Sequence, residues 1–229
     1  MIGPEGWIAL GTLTALEIVL GIDNIIFISI LAGSLPATKR NMTRNMGLLL
    51  AMLMRLALLF SIVWIVSLTE PWFSVFGIDI SGRDVILIGG GLFLMAKATH
   101  EIHNSMEGVK KTTPKHGKTS MVVILSQIAV LDVVFSLDSV ITAIGLGQHV
   151  SIMAIAIIAA VVVMLFAAKP ISNFVNAHPT IKMLALSFLI LIGVTLIVEG
   201  FNVHVPKGYI YFAMAFSVIV EMLNLRLRK

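Results

Sequence analysis

Residues 16–26 read Leu16-Glu17-Ile18-Val19-Leu20-Gly21-Ile22-Asp23-Asn24-Ile25-Ile26, and residues 131–141, 115 positions later, read Leu131-Asp132-Val133-Val134-Phe135-Ser136-Leu137-Asp138-Ser139-Val140-Ile141. These near-copies place four carboxylates inside apolar stretches that are long enough to cross a membrane. A charge in the hydrocarbon core costs roughly 3 kcal/mol on insertion scales, so an intramembrane acid indicates a functional site by default. Four acids repeated in register therefore predict a shared cation site or a proton path.

The composition indicates an integral membrane protein. Hydrophobic residues make up 58% of the 229 residues and charged residues only 12%, which leaves too little polar surface for a soluble globular protein. A helix needs about 20 apolar residues to cross the hydrocarbon core. We therefore predict an all-α polytopic membrane protein with seven transmembrane helices, at residues 7–32, 45–68, 84–99, 121–146, 150–168, 181–200 and 208–225.

Most of the Lys and Arg residues outside these segments lie on one side of the membrane if successive segments alternate in direction. By the positive-inside rule this side is cytoplasmic, which predicts an outside amino terminus and a cytoplasmic carboxyl terminus. The Lys-rich loop 108–120 has no aromatic side chain of the kind that stacks on bases, so the expected partner is the lipid bilayer and not nucleic acid. The basic residues concerned are Lys39, Arg40, Arg44, Lys110, Lys111, Lys115, Lys118, Lys169, Lys182, Arg226, Arg228 and Lys229.

The spacing of the twin phrases predicts an inverted repeat. Three crossings separate the first predicted segment from the fourth, so the two copies cross the membrane in opposite directions. We expect a single transmembrane domain, residues 1–229, built as a 3+3 repeat plus one helix: repeat one 7–104, repeat two 121–200 and the additional helix 208–225. A weaker sequence similarity between segments three and six aligns Glu101 with Glu199 near the ends of these segments. Inverted repeats recur in secondary transporters, with the site near the midplane at the repeat interface, although channels also use such repeats.

Helical geometry sorts the polar residues of each phrase into two faces. At 100° per residue, Glu17 and Asn24 share one face of segment one, and Asp23 lies about 120° away. Segment four repeats this arrangement, so we predict that both phrases supply cation ligands from helices enclosed by protein or locally unwound. The corresponding residues of segment four are Asp132, Ser136 and Ser139 on one face and Gln127 and Asp138 on the other.

Two sets of residues are predicted to support this site. Arg55 lies at the centre of segment two and is expected to pair with one of the four acids or to occupy a hydrated cavity, as a structural counter-ion. At least one of the acids is then expected to hold a proton. Lys97 and Glu101, at the cytoplasmic end of segment three, could form part of an access region; the alternative is simple pairing between residues i and i+4. Gln127 and Glu199 are assigned to the same surrounding shell.

Three stretches of the chain resemble the TerC family of bacterial integral membrane proteins: residues Glu17–Asn24, residues Phe135–Val140 and residues Pro206–Met214. The resemblance spans nearly the whole chain and implies a location in a bacterial cytoplasmic (inner) membrane. The family belongs to the LysE transporter superfamily and is associated with manganese export and with metal supply to exported enzymes. The resemblance implies metal-ion transport and places the family's acidic motifs on Glu17, Asp23 and Asn24 in repeat one and on Asp132, Asp138 and Ser139 in repeat two.

Taken together, these features predict a divalent metal cation transporter, and manganese efflux is the leading hypothesis. The chain has no cysteine, and carboxylate, amide and hydroxyl oxygens suit a hard cation. Mn²⁺ would be cargo, and no cofactor or enzymatic activity is expected. Two alternatives stay open: an intramembrane aspartyl protease, which also uses two membrane-embedded Asp residues, and a non-transporting scaffold associated with secretion or metalation partners.

Overall fold

The structure is a computed structural model that describes residues 4–33, 35–61, 68–75, 77–106, 120–145 and 150–227. Within these ranges, the description includes the backbone but not the side chains of residues 4–5, 20, 23, 37, 75, 78, 138–145 and 207.

The described chain is predominantly helical, which confirms the predicted all-α polytopic class. Six helices are long and apolar enough to cross a membrane, and the described apolar stretch of α4, Met121–Leu137, is shorter. The helices are α1 (Pro4–Gly33), α2 (Ala37–Phe60), α3 (Gly82–Met106), α4 (Met121–Gly145), α5 (Val150–Ala177), α6 (Pro179–Gly200) and α7 (Lys207–Leu227).

A small antiparallel β-hairpin, which was not predicted from the sequence, precedes α3. Its strands are β1 (Pro71–Val75) and β2 (Ile78–Ser81), with Gly77 in the turn at φ 79°. That backbone conformation suits glycine because it has no β-carbon. The signal was present in the alternation of apolar and polar residues in Phe73-Ser74-Val75 and Ile78-Asp79-Ile80, but the strands are too short to stand out beside membrane-length helices.

Several helices extend beyond the predicted segments. Helix α2 begins at Ala37, eight residues before the predicted start of segment two. Helix α3 runs to Met106, and α5 continues through Pro170 to Ala177, so Lys169 lies within a helix and not beyond the end of segment five at residue 168. Hydropathy marks only the part of a helix that suits hydrocarbon, whereas backbone hydrogen bonding continues through the polar residues at its ends.

The chain divides into two compact units, which we call the first unit and the second unit. The first unit comprises residues 1–70 and 116–174, and the second comprises residues 71–115 and 175–229. The first unit thus holds the first two helices of each predicted repeat, apart from the end of α5, and the second unit holds the third helix of each repeat together with α7. The repeat boundaries and the single-domain organisation stay predictions.

In the first unit, α2 packs against α4, and α1 contacts both of these helices. Gly47 of α2 allows a close approach, because a β-carbon added there would lie 2.8 Å from Ile128 Cδ1 of α4. The side chains of Ile28, Leu59 and Leu131 are fully buried in this unit. The twin phrases of α1 and α4 therefore belong to one packed group of helices.

In the second unit, α3 and α6 pack at very short range. A β-carbon added at Gly91 would lie 2.5 Å from the carbonyl oxygen of Gly193, and one added at Gly193 would lie 2.6 Å from Met95 Cγ. Small residues at a helix interface let two backbones approach closely, and this is the main source of helix association in lipid. The start of α3 is capped by Ser81, whose backbone N–H and hydroxyl both donate to Asp84 Oδ2, at 2.9 and 2.6 Å.

Candidate functional site

A buried ionic cluster joins three helices of the first unit. Arg55, on α2, is only 4% exposed. Its Nε donates to Asp132 Oδ1 on α4 at 3.1 Å, and its Nη1 forms an ion pair with Glu17 Oε2 on α1. The expected pairing of Arg55 with an intramembrane acid is therefore present, and the guanidinium links the first acid of one phrase to the first acid of the other.

Asp132 is the most heavily engaged acid of this cluster. Besides the bond from Arg55, Oδ1 accepts a hydrogen bond from Asn24 Nδ2 at 3.3 Å, and Oδ2 accepts one from the hydroxyl of Ser136 at 3.2 Å. The Asp132 side chain is 2% exposed. Three donors from three helices thus neutralise and solvate a carboxylate that would be very costly to bury alone.

The helical spacing of the phrases explains why these residues meet. Glu17 and Asn24 are seven residues apart, so they lie on one face of α1, as predicted from the sequence. Asp132 and Ser136 are four residues apart on α4, the spacing at which side chains of neighbouring turns touch. Helical spacing placed Ser136 on the same face as Asp132, but Ser136 was not among the predicted ligands. Its position four residues after the acid was the available signal.

A fourth helix, α5, packs against α1 at Gly21, between Glu17 and Asn24 in the sequence. A β-carbon at this position would lie 2.2 Å from the sulfur of Met164, a buried residue of α5. Glycine therefore permits a contact that any larger residue would obstruct. In the second phrase the equivalent position is Ser136. The two copies therefore differ here: Gly21 packs against the sulfur of Met164, whereas the Ser136 hydroxyl donates to Asp132.

Three predicted ligands lie outside the described side chains. The backbones of Asp23, Asp138 and Ser139 are helical, in α1 and α4, but the description does not include their side chains. Their predicted role in metal binding stays a prediction. The four predicted residues that the structure does bring together are Glu17, Asn24, Arg55 and Asp132.

The predicted surrounding shell is distributed between the two units. Lys97 and Glu101 form an ion pair of 3.6 Å along α3 of the second unit, which matches the alternative of simple i,i+4 pairing. Glu199 is buried in α6 of the same unit, at 6% exposure. Gln127 is half-buried on α4 of the first unit. The roles assigned to these residues in ion access stay predictions.

The cluster offers oxygen ligands and no soft ones. Carboxylates of Glu17 and Asp132, the Asn24 amide and the Ser136 hydroxyl are the donor types preferred by hard divalent cations. Among the residues whose side chains are described, no group of three or more His, Cys, Asp or Glu residues is placed to hold a metal ion. A cation bound here would therefore need neutral oxygens as well, or the carboxylates of Asp23 and Asp138.

Comparisons with known proteins find similar proteins in bacteria, several of them named inner membrane proteins. The UPF0053 protein of Haemophilus influenzae is 57% identical over 227 residues, which cover 99% of this chain and 96% of that protein. The inner membrane protein YgdQ of Escherichia coli is 58% identical over 222 residues, 97% of this chain and 93% of the relative. The longer inner membrane protein YoaE of Escherichia coli is 50% identical over 226 residues, which are 98% of this chain and 43% of that protein.

No solved structure matches the chain. The family comparison is nonetheless decisive, because the sequence profile described as "Integral membrane protein TerC family" matches residues 2–229, nearly the full length. A profile match of this extent includes both acidic phrases and every described helix. The chain therefore belongs to the TerC family of integral membrane proteins.

Proposed function

We propose that this protein exports divalent metal cations from the cytoplasm, with Mn²⁺ as its principal substrate. The observation that supports the proposal is the buried cluster of Glu17, Asn24, Arg55 and Asp132, which unites the twin phrases of α1 and α4 inside the first unit. Charged groups are retained within transmembrane helices chiefly where ions or protons move. Membership of the TerC family is consistent with a membrane transporter.

The substrate follows from the chemistry of the available donors. A site of carboxylate, amide and hydroxyl oxygens favours Mg²⁺, Ca²⁺ or Mn²⁺ over softer metals, since the chain has no cysteine. Mn²⁺ binds a given set of oxygen and nitrogen ligands less tightly than the later first-row metals do. Selectivity for Mn²⁺ over those metals must therefore come from ligand type and geometry. Asp23, Asp138 and Ser139 complete the proposed ligand set.

The proposed setting is a bacterial inner membrane with the amino terminus outside and the carboxyl terminus in the cytoplasm. Relatives of this chain are named inner membrane proteins, and the basic residues agree with that orientation under the positive-inside rule. Reporter fusions test the orientation: a cytoplasmic reporter fused after Lys229 should be active, and a periplasmic reporter at that position should not.

The transport proposal is tested with purified protein in liposomes. Radiolabelled Mn²⁺ should enter vesicles that contain the protein, and unlabelled Mn²⁺ should compete more effectively than Mg²⁺ or Ca²⁺. Protein-free vesicles and vesicles with an unrelated membrane protein provide the controls. Flux that does not exceed these controls for any divalent cation would refute the proposal and favour a non-transporting scaffold.

A further inference from the structure

Arg55 places a fixed positive charge at the point where the proposed site would hold a metal ion. Its guanidinium lies between the carboxylates of Glu17 and Asp132, which come from opposite halves of the sequence. All three side chains are wholly or largely buried, with 5%, 17% and 2% exposure. A counter-ion needed only for stability could pair with either acid, but this one contacts both.

We propose that Arg55 is a resident cation that exchanges places with the transported metal. This inference rests on the proposed transport function and adds a mechanism to it. When a divalent cation binds Glu17 and Asp132, the guanidinium withdraws from at least one of them. When the metal leaves, the guanidinium returns and neutralises both carboxylates.

The hydrogen bonds of Asp132 favour such an exchange. Its Oδ1 already accepts bonds from Arg55 and Asn24, and its Oδ2 accepts one from Ser136. A metal ion coordinated by Oδ1 would use the same lone pairs as the guanidinium and would repel its charge. Neutral donors can stay beside a metal-bound carboxylate, whereas a cation at 3.1 Å is strongly disfavoured there.

Exchange also explains how the protein returns to its metal-loading conformation after it releases the transported metal. Two unpaired carboxylates inside a helix bundle are strongly unfavourable, so a site without any cation would resist the conformational change that completes a transport cycle. The guanidinium removes that obstacle. Net transport therefore depends on Arg55, whereas exchange of one metal ion for another does not, because a metal ion always occupies the acids on the return step.

The test compares net flux with exchange in proteoliposomes. Net flux is the entry of radiolabelled Mn²⁺ into metal-free vesicles, and exchange is its entry into vesicles preloaded with unlabelled Mn²⁺. In Arg55→Gln, the ratio of exchange to net flux should rise at least about tenfold, and Mn²⁺ affinity measured by Mn²⁺ paramagnetic resonance should also rise about tenfold, the order of one charge-assisted hydrogen bond.

Two further variants distinguish a resident cation from a merely structural one. Arg55→Lys retains the charge and should keep the ratio near that of the wild type. Arg40→Gln removes an exposed guanidinium of the same helix, which donates to the Leu35 carbonyl oxygen, and should leave the ratio unchanged. An unchanged ratio in Arg55→Gln, or an Mn²⁺ affinity that is equal or lower in the folded variant, would overturn the inference.

If Arg55→Gln does not fold, the double variant Glu17→Gln/Arg55→Gln takes its place. It removes one acid and the base together, so the net charge of the cluster is preserved while the resident cation is lost. Its ratio should still exceed that of the wild type, and a wild-type ratio would refute the exchange mechanism. Absence of metal flux in the wild type would instead refute the proposed function, and the inference with it.

Discussion

Asp132 of the first unit and the acids Asp84 and Glu101 of the second unit all lie in helices, but they are neutralised in different ways. In the first unit, Asp132 is bound by Arg55, 77 residues away, and by Asn24, 108 residues away. In the second unit, Asp84 is bound by Ser81, three residues away, and Glu101 pairs with Lys97, four residues away. Asp132 is thus neutralised through tertiary contacts, whereas Asp84 and Glu101 are bound by partners within one turn along the chain.

We expect this difference to distinguish acids that act in the proposed transport from acids that only stabilise a helix. A capping interaction such as that of Asp84 forms whenever α3 forms and helps to fix the start of the helix. The contacts of Asp132 require three helices to be assembled, and they can change when those helices move. An acid whose partners come from several elements can therefore exchange them during transport, whereas a locally capped acid cannot do so without unfolding a helix end.

The largest effect should be on transport, in the first unit. We expect Asp23→Asn and Asp138→Asn each to abolish Mn²⁺ efflux while leaving the protein folded, because the amide preserves side-chain volume but removes an anionic ligand. Carboxylate swaps at Glu17 and Asp132, to Asp and Glu, should reduce flux less. The measurement is Mn²⁺ flux in proteoliposomes at matched protein levels.

The matched variant in the second unit is Asp84→Asn, which makes the same change at a buried acid that bonds to Ser81. Its flux should stay within about twofold of the wild type, because Asn also serves at a helix start. Wild-type flux in both Asp23→Asn and Asp138→Asn would eliminate the acidic-site mechanism. Loss of activity only through aggregation, seen by size-exclusion chromatography, would instead assign those acids a structural role.

The next largest effect should be on stability, at Arg55. Replacing it with Ala leaves the carboxylates of Glu17 and Asp132 without their shared cation, and removal of one partner from a buried ion pair costs about 3–5 kcal/mol. Reversible unfolding in mixed micelles should show a loss of this order. The double variant Arg55→Ala/Asp132→Asn should recover part of it, and a loss below about 1 kcal/mol in the single variant would contradict the buried-cluster assignment.

Much of the fold could be predicted because the membrane limits the possible structures. Backbone groups in hydrocarbon must be satisfied within a helix, so apolar runs of sufficient length identify the helices. The ends of α2 and α5 were misjudged because hydropathy reports immersion and not helicity. The hairpin at 71–81 was missed because short strands produce a weak periodic signal.

The site was predictable for a different reason. Repetition showed that Glu17 and Asp132 are equivalent, and helical spacing placed Asn24 beside Glu17. Arg55 was predicted to pair with one of the four acids, but its simultaneous contact with Glu17 and Asp132 was not predictable, because it depends on how α1, α2 and α4 pack. Such packing arises from non-local complementarity, as at Gly47 against Ile128, for which a single sequence offers no periodic signal.

A smaller effect should distinguish the close helix contact of the second unit from an open position. Gly91→Ala places a β-carbon 2.5 Å from the Gly193 carbonyl oxygen, a backbone atom that can move only if α3 and α6 separate. Overpacking of this kind should destabilise the protein by about 1–3 kcal/mol. Gly89→Ala is the control, since nothing lies within 4 Å of its added β-carbon. Equal stability of the two variants would contradict the packing of α3 on α6.

The smallest effect should be at Lys97, the second unit's counterpart of Arg55. Its ion pair with Glu101 spans 3.6 Å, and the two side chains are 22% and 20% exposed. A pair of this kind along one helix contributes about 0.3–0.5 kcal/mol, because both groups can reach polar surroundings when separated. Lys97→Ala should therefore lower unfolding stability by no more than about this amount, measured under the conditions used for Arg55→Ala. A loss approaching that of Arg55→Ala would mean that Glu101 depends on Lys97 as Asp132 depends on Arg55, and the contrast between the two units would fail.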